Sequence, residues 1–156
     1  MKDLKIREVK VEDFENVRDL FIEENRYHAS ILPEQIKMGP PMTKEEWSSF
    51  REQKDRRIFV ADNNGQVLGL IDLQIREREM PTLINRKSLF VKEIIVSEHA
   101  RGKGIGKNLI ERAKVLAREL EIKEIELNVW TANQSAIEFY EKLNFTCQRK
   151  TYSVFL

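Results

Sequence analysis

The stretch that most limits what this chain can fold into is Leu89–Glu119. It opens with an apolar run, Leu89-Phe90-Val91, continues as Lys92-Glu93-Ile94-Ile95-Val96, and then reaches Arg101-Gly102-Lys103-Gly104-Ile105-Gly106. From there Ile105, Leu109, Ala113, Leu116 and Leu120 recur at steps of three and four, the period of one helix face. Lys107, Glu111, Lys114 and Arg118 take the other side. The spacing predicts a strand, a glycine loop and a helix. A helix begins with backbone N–H groups that have no partner inside it, and its peptide dipoles add positive potential there. Glycines keep side chains away and permit turns closed to other residues. With Arg101, Lys103 and Lys107 adding full charges, the backbone of residues 102–107 makes a socket for a phosphate or diphosphate.

Two common phosphate loops are excluded by spacing. A Walker loop needs Gly-Lys-Ser/Thr with a glycine five residues before the second one. Here Gly106-Lys107 is followed by Asn108, and Arg101 holds the earlier position. The dinucleotide pattern G-x-G-x-x-G fails because its last glycine would fall on Lys107 or on Leu109.

Around this unit the chain reads as alternating elements. Leu4 and Ile6 suggest a first strand, and Phe14, Val17 and Phe21 a helix from about Glu12 to Ala29, closed by Pro33. Thr43-Lys44-Glu45-Glu46 is a capping box that starts a second helix at Thr43, ending near Asp55. Ile58–Ala61 is a strand, Asn63-Asn64-Gly65 a hairpin turn, and Val67–Arg76 the returning strand. Glu77–Lys87 is charged, holds Pro81 and reads as a loop. After the central helix come a strand over Glu124–Trp130, a helix from Asn133 to about Leu143, and a final strand over Thr146–Phe155. The expectation is an α/β domain: a mixed sheet of six to seven strands flanked by four helices. The hairpin makes part of that sheet antiparallel, and the strand–helix–strand unit makes part of it parallel.

Composition narrows the class. At 156 residues the chain is the size of one domain. A net charge of +1 gives no overall pull toward nucleic acid or an anionic membrane. The single cysteine, Cys147, allows no internal disulfide and suits a reducing cytosol. Met1-Lys2-Asp3-Leu4-Lys5 is too charged for a signal peptide, and runs such as Val67–Ile71 are too short to span a bilayer. A cytoplasmic location is the expectation, without nucleic-acid or membrane partners.

Arg101, Gly104 and Gly106 spell R-x-x-G-x-G, and the segment Asn133-Gln134-Ser135-Ala136-Ile137-Glu138-Phe139-Tyr140-Glu141-Lys142-Leu143-Asn144-Phe145 follows the next strand. On these residues the chain resembles the GNAT superfamily of acyl-CoA-dependent N-acetyltransferases, through its coenzyme A loop and its N-x-x-A-x-x-F-Y-x-x-x-G-F segment. The match covers about Leu89–Phe145; the amino-terminal half agrees in element order alone. Two positions depart from the pattern. Glu98 stands where a proline is usual, and Asn144 where glycine is usual, though asparagine best tolerates a left-handed helix end.

The resemblance implies an N-acetyltransferase that moves an acetyl group from acetyl-CoA to a primary amine, with no metal. The coenzyme diphosphate would lie on the amides of Gly102, Lys103, Gly104, Ile105, Gly106 and Lys107 beside Arg101. The pantetheine arm would pair along the backbone of Ile94, Ile95 and Val96. Asn133 would bond that arm; its plainer role is a helix N-cap. Tyr140 would be the general acid; its plainer role is packing beside Phe139. Glu93 is the first candidate for the base, where desolvation would raise its pKa; its plainer role is a solvated strand carboxylate beside Lys92. Tyr27 and His28 are placed at the acceptor's way in. The implied partner is a small-molecule or peptide amine, with a homodimer possible. A non-catalytic acyl-CoA sensor or interaction domain, and a mononucleotide-binding module on the same loop, stand as alternatives.

Overall fold

Alternation along the central strands sorts apolar side chains onto two faces of one sheet, and helices cover both. The computed structural model describes residues 3–82, 84, 86–154 and 156. Its strands are β1 (Leu4–Glu8), β2 (Arg56–Asn63), β3 (Gln66–Arg78), β4 (Arg86–Val96) and β5 (Ile125–Leu127). Its helices are α1 (Phe14–Ile31), α2 (Lys44–Arg51), α3 (Ile105–Glu119) and α4 (Gln134–Lys142). Short 3-10 turns occupy Val11–Asp13 and Glu98–Ala100. The strands lie in the order β1-β2-β3-β4-β5, antiparallel except for the parallel pair of β4 and β5.

One face carries Phe59, Ala61, Ile71 and Leu73 against Ile105, Leu109, Ile110 and Ala113 of α3, with Tyr140 at its border. The opposite face carries Val60, Leu70 and Ile95 against Phe14, Val17 and Leu20 of α1 and Trp47 of α2. Fully burying a side chain of this size contributes roughly 1.5–3 kcal/mol. That makes the two apolar layers, rather than surface ion pairs, the main support of the sheet.

Local chemistry sets several boundaries where the sequence places them. Thr43 Oγ1 accepts from the Glu46 N–H and the Glu46 carboxylate accepts from the Thr43 N–H, closing the capping box on α2. Asn64 and Gly65 have φ of 53° and 89°, so both central turn residues are left-handed, as a tight hairpin between β2 and β3 requires. Asn144 closes α4 with φ 66°.

Other boundaries differ. The first helix starts at Phe14 after a 3-10 turn and runs to Ile31, rather than from Glu12 to Ala29. The second stops at Arg51 instead of near Asp55, because Arg56 is drawn into β2 and its side chain pairs with Asp72 on β3. The loop expected over Glu77–Lys87 shrinks to residues 79–85. Glu77 pairs with Lys87 and Arg78 with Arg86, and a 2.9 Å ion pair joins Lys87 to Glu77 across the ladder. Leu83 and Asn85 of that loop lie outside the described residues. The strand over Glu124–Trp130 is paired only from Ile125 to Leu127.

The sheet has five strands among the described residues rather than six or seven. The final strand does not form over Thr146–Val154; Phe155 lies outside the described residues. Edge strand β5 spans three residues, too short a ladder to recruit a neighbour, and Tyr152 and Val154 stand 87% and 79% exposed.

Two irregularities of β4 shape the site. β3 pairs Leu73 with Val91 and Asp72 with Glu93, which leaves Lys92 as a bulge. On the other side, β5 pairs β4 only along Leu89, Phe90 and Val91. Beyond Val91 the two strands part, and no described strand lies beside Glu93–Val96 on that edge.

Candidate functional site

The bulge decides which way Glu93 points. Before it, Leu89 and Val91 face the α3 layer. Had the alternation continued, Glu93 would follow them into that core. One extra residue reverses the pattern. Ile94 and Val96 now pack on the α3 side, Ile95 packs on the α1 side, and Glu93 is carried to the α1 side with it.

Where β4 and β5 part there is a cavity of about 320 Å³. Glu93 and Ile94 line it from β4, Asn128 and Trp130 from the chain after β5, Asn133 and Tyr140 from the start and body of α4, and Glu24 and His28 from α1. The sequence-chosen pair Glu93 and Tyr140 therefore share one cavity. Glu93 titrates far above the usual carboxylate range, at about 7. Burial is the main cause; the charges of Glu24 and Asp72 add to it, and Lys92 and Arg56 oppose them. Burial, then Glu24 and Glu93, push the Tyr140 phenol well above its ordinary value, so it keeps its proton at neutral pH. Its ring also packs edge-on to Phe139 and Phe145, at 5.2 and 5.7 Å between centroids. Packing and cavity-lining coexist in this one residue.

Glu24 was not among the sequence candidates. Its carboxyl is held above the usual range by burial, against the opposing charges of His28 and Arg101, and its Oε1 lies 3.2 Å from His28 Nε2. A signal existed: Val17, Leu20, Glu24 and His28 follow one another at steps of three and four, placing a carboxylate in the apolar stripe of α1. The neighbouring Glu23 ties α1 to the other end of β4, accepting from the Glu98 N–H at 3.1 Å.

The glycine loop sits at the end of β4. Gly102 and Gly104 have φ of 73° and 80°, and a Cβ built on either would meet nothing within 4 Å, so the space above the loop is open. No side chain caps α3, and Asn108 makes its first backbone bond, to Gly104 O at 3.1 Å. The N–H groups of Ile105, Gly106 and Lys107 precede that bond and so have no partner inside the helix. Ile105 is buried, so only its backbone can serve a ligand. Gly106 has a different reason: a Cβ there would stand 3.1 Å from the Phe139 ring. Arg101 donates from Nε to Val96 O at 3.2 Å, and Lys103 Nζ donates to His99 O at 2.9 Å. Lys107 is exposed. Asn133 does cap α4, accepting from the Ala136 N–H at 3.2 Å.

Residues 14–145 match the Acetyltransferase (GNAT) family. The chain belongs to that family. An uncharacterized N-acetyltransferase of Methanocaldococcus jannaschii is 28% identical over 145 residues, covering 93% of this chain and 62% of its own length. An N-alpha-acetyltransferase of Saccharolobus solfataricus is 36% identical over 94 residues, 56% of this chain and 55% of its own. The chain thus spans about three-fifths of the length of the curated relatives it matches. The crystal structure of a mutant form of a Bacillus halodurans protein shares the fold, with a TM-score of 0.92 at 24% identity over 97% of this chain and 99% of that one. At family level this GNAT chain is therefore of the acetyltransferase class, and GNAT enzymes use acetyl-CoA. Among its described residues no helix is long and apolar enough to cross a membrane.

Proposed function

We propose that this GNAT protein transfers the acetyl group of acetyl-CoA to a primary amine of a small molecule or peptide, by direct attack of the amine on the thioester. The observation that carries this reading is the convergence of a desolvated Glu93 and a protonated Tyr140 on one cavity, at the unpaired edge of β4. The residues fit the cosubstrate. The free strand edge at Ile94, Ile95 and Val96 offers backbone bonds to an extended amide-bearing arm. The open, uncapped loop from Arg101 to Lys107 offers amides and cations to a diphosphate.

Acetyl-CoA supplies an activated acyl group and a thiol whose pKa is about 8.5, so the protein's task is largely positioning and proton management. An amine is a nucleophile only once it has lost its ammonium proton. Glu93, with a pKa of about 7, is matched to accept that proton at neutral pH. Tyr140 holds a proton for the departing sulfur. Its raised pKa makes it a weak acid at rest, and part of that elevation comes from the charge of Glu93. Once Glu93 has taken a proton it no longer opposes ionisation of the phenol. Tyr140 then becomes a stronger acid at the moment its proton is needed.

The test is thiol release from acetyl-CoA in the presence of a panel of primary amines. The expected result is amine-dependent release, lowered about 10²–10⁴-fold by Tyr140→Phe while coenzyme A binding is retained. Saturable binding without release across the panel would leave the sensor reading instead. Thermal stabilisation by ATP and not by acetyl-CoA would leave the nucleotide module.

A further inference from the structure

Tyr27 belongs to neither signature segment, yet its side chain touches both. Its hydroxyl lies 3.2 Å from Asn133 Oδ1 and 3.3 Å from Ser135 Oγ on α4. Its ring lies under the Arg101 guanidinium, 5.5 Å from the centroid. Asn133 Oδ1 also takes the Ala136 N–H, at 3.2 Å, which identifies that atom as the acceptor oxygen. The Tyr27 hydroxyl therefore donates to it. Ser135 Oγ donates to the same oxygen at 3.1 Å, so Oδ1 is engaged by α4 and by Tyr27, the amide plane is fixed, and Nδ2 is the group left to donate on a residue that lines the cavity. At the same time the ring holds the Arg101 side chain on the α1 side of the loop, where Nε bonds Val96 O.

We propose that Tyr27 is a positioning residue for the cosubstrate. Its hydroxyl sets the Asn133 amide to donate to the pantetheine arm, and its ring sets Arg101 toward the diphosphate. The inference rests on the acetyl-CoA reading above. Its physical basis is preorganisation: an amide or guanidinium already held in its bonding geometry loses less freedom on binding. A cation over an aromatic face within about 6 Å is attracted to it.

The experiment is calorimetric titration of coenzyme A into the protein and its variants, with thermal midpoints recorded in parallel. Tyr27→Phe keeps the ring and removes the hydroxyl. It is expected to weaken coenzyme A roughly fivefold to tenfold, the effect of one hydrogen bond. The thermal midpoint should stay within about a degree or two, because a partly exposed contact is lost and no cavity is made. The same change in an Asn133→Ala background should have no further effect, since Tyr27 would act through that amide. Tyr27→Leu removes the ring as well, and its extra loss should vanish in an Arg101→Ala background. In turnover, the KM for acetyl-CoA should rise by the binding factor while the KM for the amine holds.

Wild-type coenzyme A affinity in Tyr27→Phe would overturn this role and leave the acetyl-CoA reading standing. Equal losses with and without Asn133 would overturn it too. Failure of the wild-type protein itself to bind coenzyme A would overturn both.

Discussion

Replacing Glu93 by glutamine should stabilise the protein while disabling it. The side chain keeps its shape and loses only its charge. In the unfolded chain this carboxyl titrates near 4.5, and in the folded protein at about 7, chiefly because β4 and α1 bury it. The folded state therefore favours the protonated form. That preference supports folding fully below pH 4.5 and is lost as pH rises through 7. At about 1.4 kcal/mol per pH unit, the interval between the two titrations corresponds to roughly 3 kcal/mol by about pH 8. Glutamine never acquires the charge and avoids that loss. Glu93→Gln should therefore exceed the wild type by up to about 3 kcal/mol at about pH 8, or roughly 6–12 °C in Tm for a chain of this size. The advantage should fade toward pH 4.5.

Urea unfolding at about pH 8 and about pH 5 measures this directly, with equal m-values as the check that the unfolded states compare. A variant less stable than wild type at the higher pH, or shifted equally at both, would refute the burial argument. It would mean that Glu93 is solvated or that a partner compensates its charge. The same variant should lose most amine-dependent thiol release. Higher stability with lower turnover is the pattern expected where a strained site serves chemistry.

Other outcomes follow from single contacts. Glu24→Gln removes a charge that raises Glu93, so the acid limb of kcat/KM should move from about pH 7 to lower pH, as read from a pH–rate profile. Gly106→Ala puts a Cβ 3.1 Å from the Phe139 ring, so in urea unfolding it should forgo the roughly 0.5–1 kcal/mol that alanine normally gains over glycine inside a helix. Thr43→Ala opens the capping box of α2, far from the cavity, and should cost about 1 kcal/mol without changing coenzyme A affinity by calorimetry.

What could be read from the sequence was whatever depends on neighbours in the chain. The Thr43 capping box, the Asn64-Gly65 turn, the left-handed Asn144 and the glycine loop all involve groups within a few residues of one another. The sequence also indicated that Glu93 and Tyr140 belong together, through resemblance. It did not indicate how they meet. Glu24 joins them from α1, across the sheet, and only the apolar stripe around it hinted at burial. Thr146–Phe155 alternates like a strand, but a strand needs an edge to pair with, and β5 offers three residues. The loop over Glu77–Lys87 failed for the reverse reason. Its charges looked like solvated loop but form cross-strand ion pairs such as Glu77 with Lys87.

The Lys92 bulge shows why a strand can be read correctly and its chemistry still be missed. Leu89–Val96 is strand on any count of apolar residues. Strict alternation, however, would put Glu93 in line with Leu89 and Val91, among the side chains packed on α3. A lone carboxylate there would face only apolar neighbours, and the sequence would look defective. One unmatched residue sends it to the opposite face, toward Glu24 and Asp72. Such a position still raises its pKa, but the cavity gives the proton somewhere to go. Beyond the same point β4 and β5 separate, so the strand edge left without a described neighbour begins at Glu93 itself. Deleting Lys92 tests the point, because it makes Val91 and Glu93 neighbours, and simple alternation then keeps Glu93 opposite Val91, on the α1 side and across from Asp72. Amine-dependent thiol release should therefore survive in a folded deletion variant, whereas inserting a second residue beside Lys92 should turn Glu93 toward α3 and abolish it.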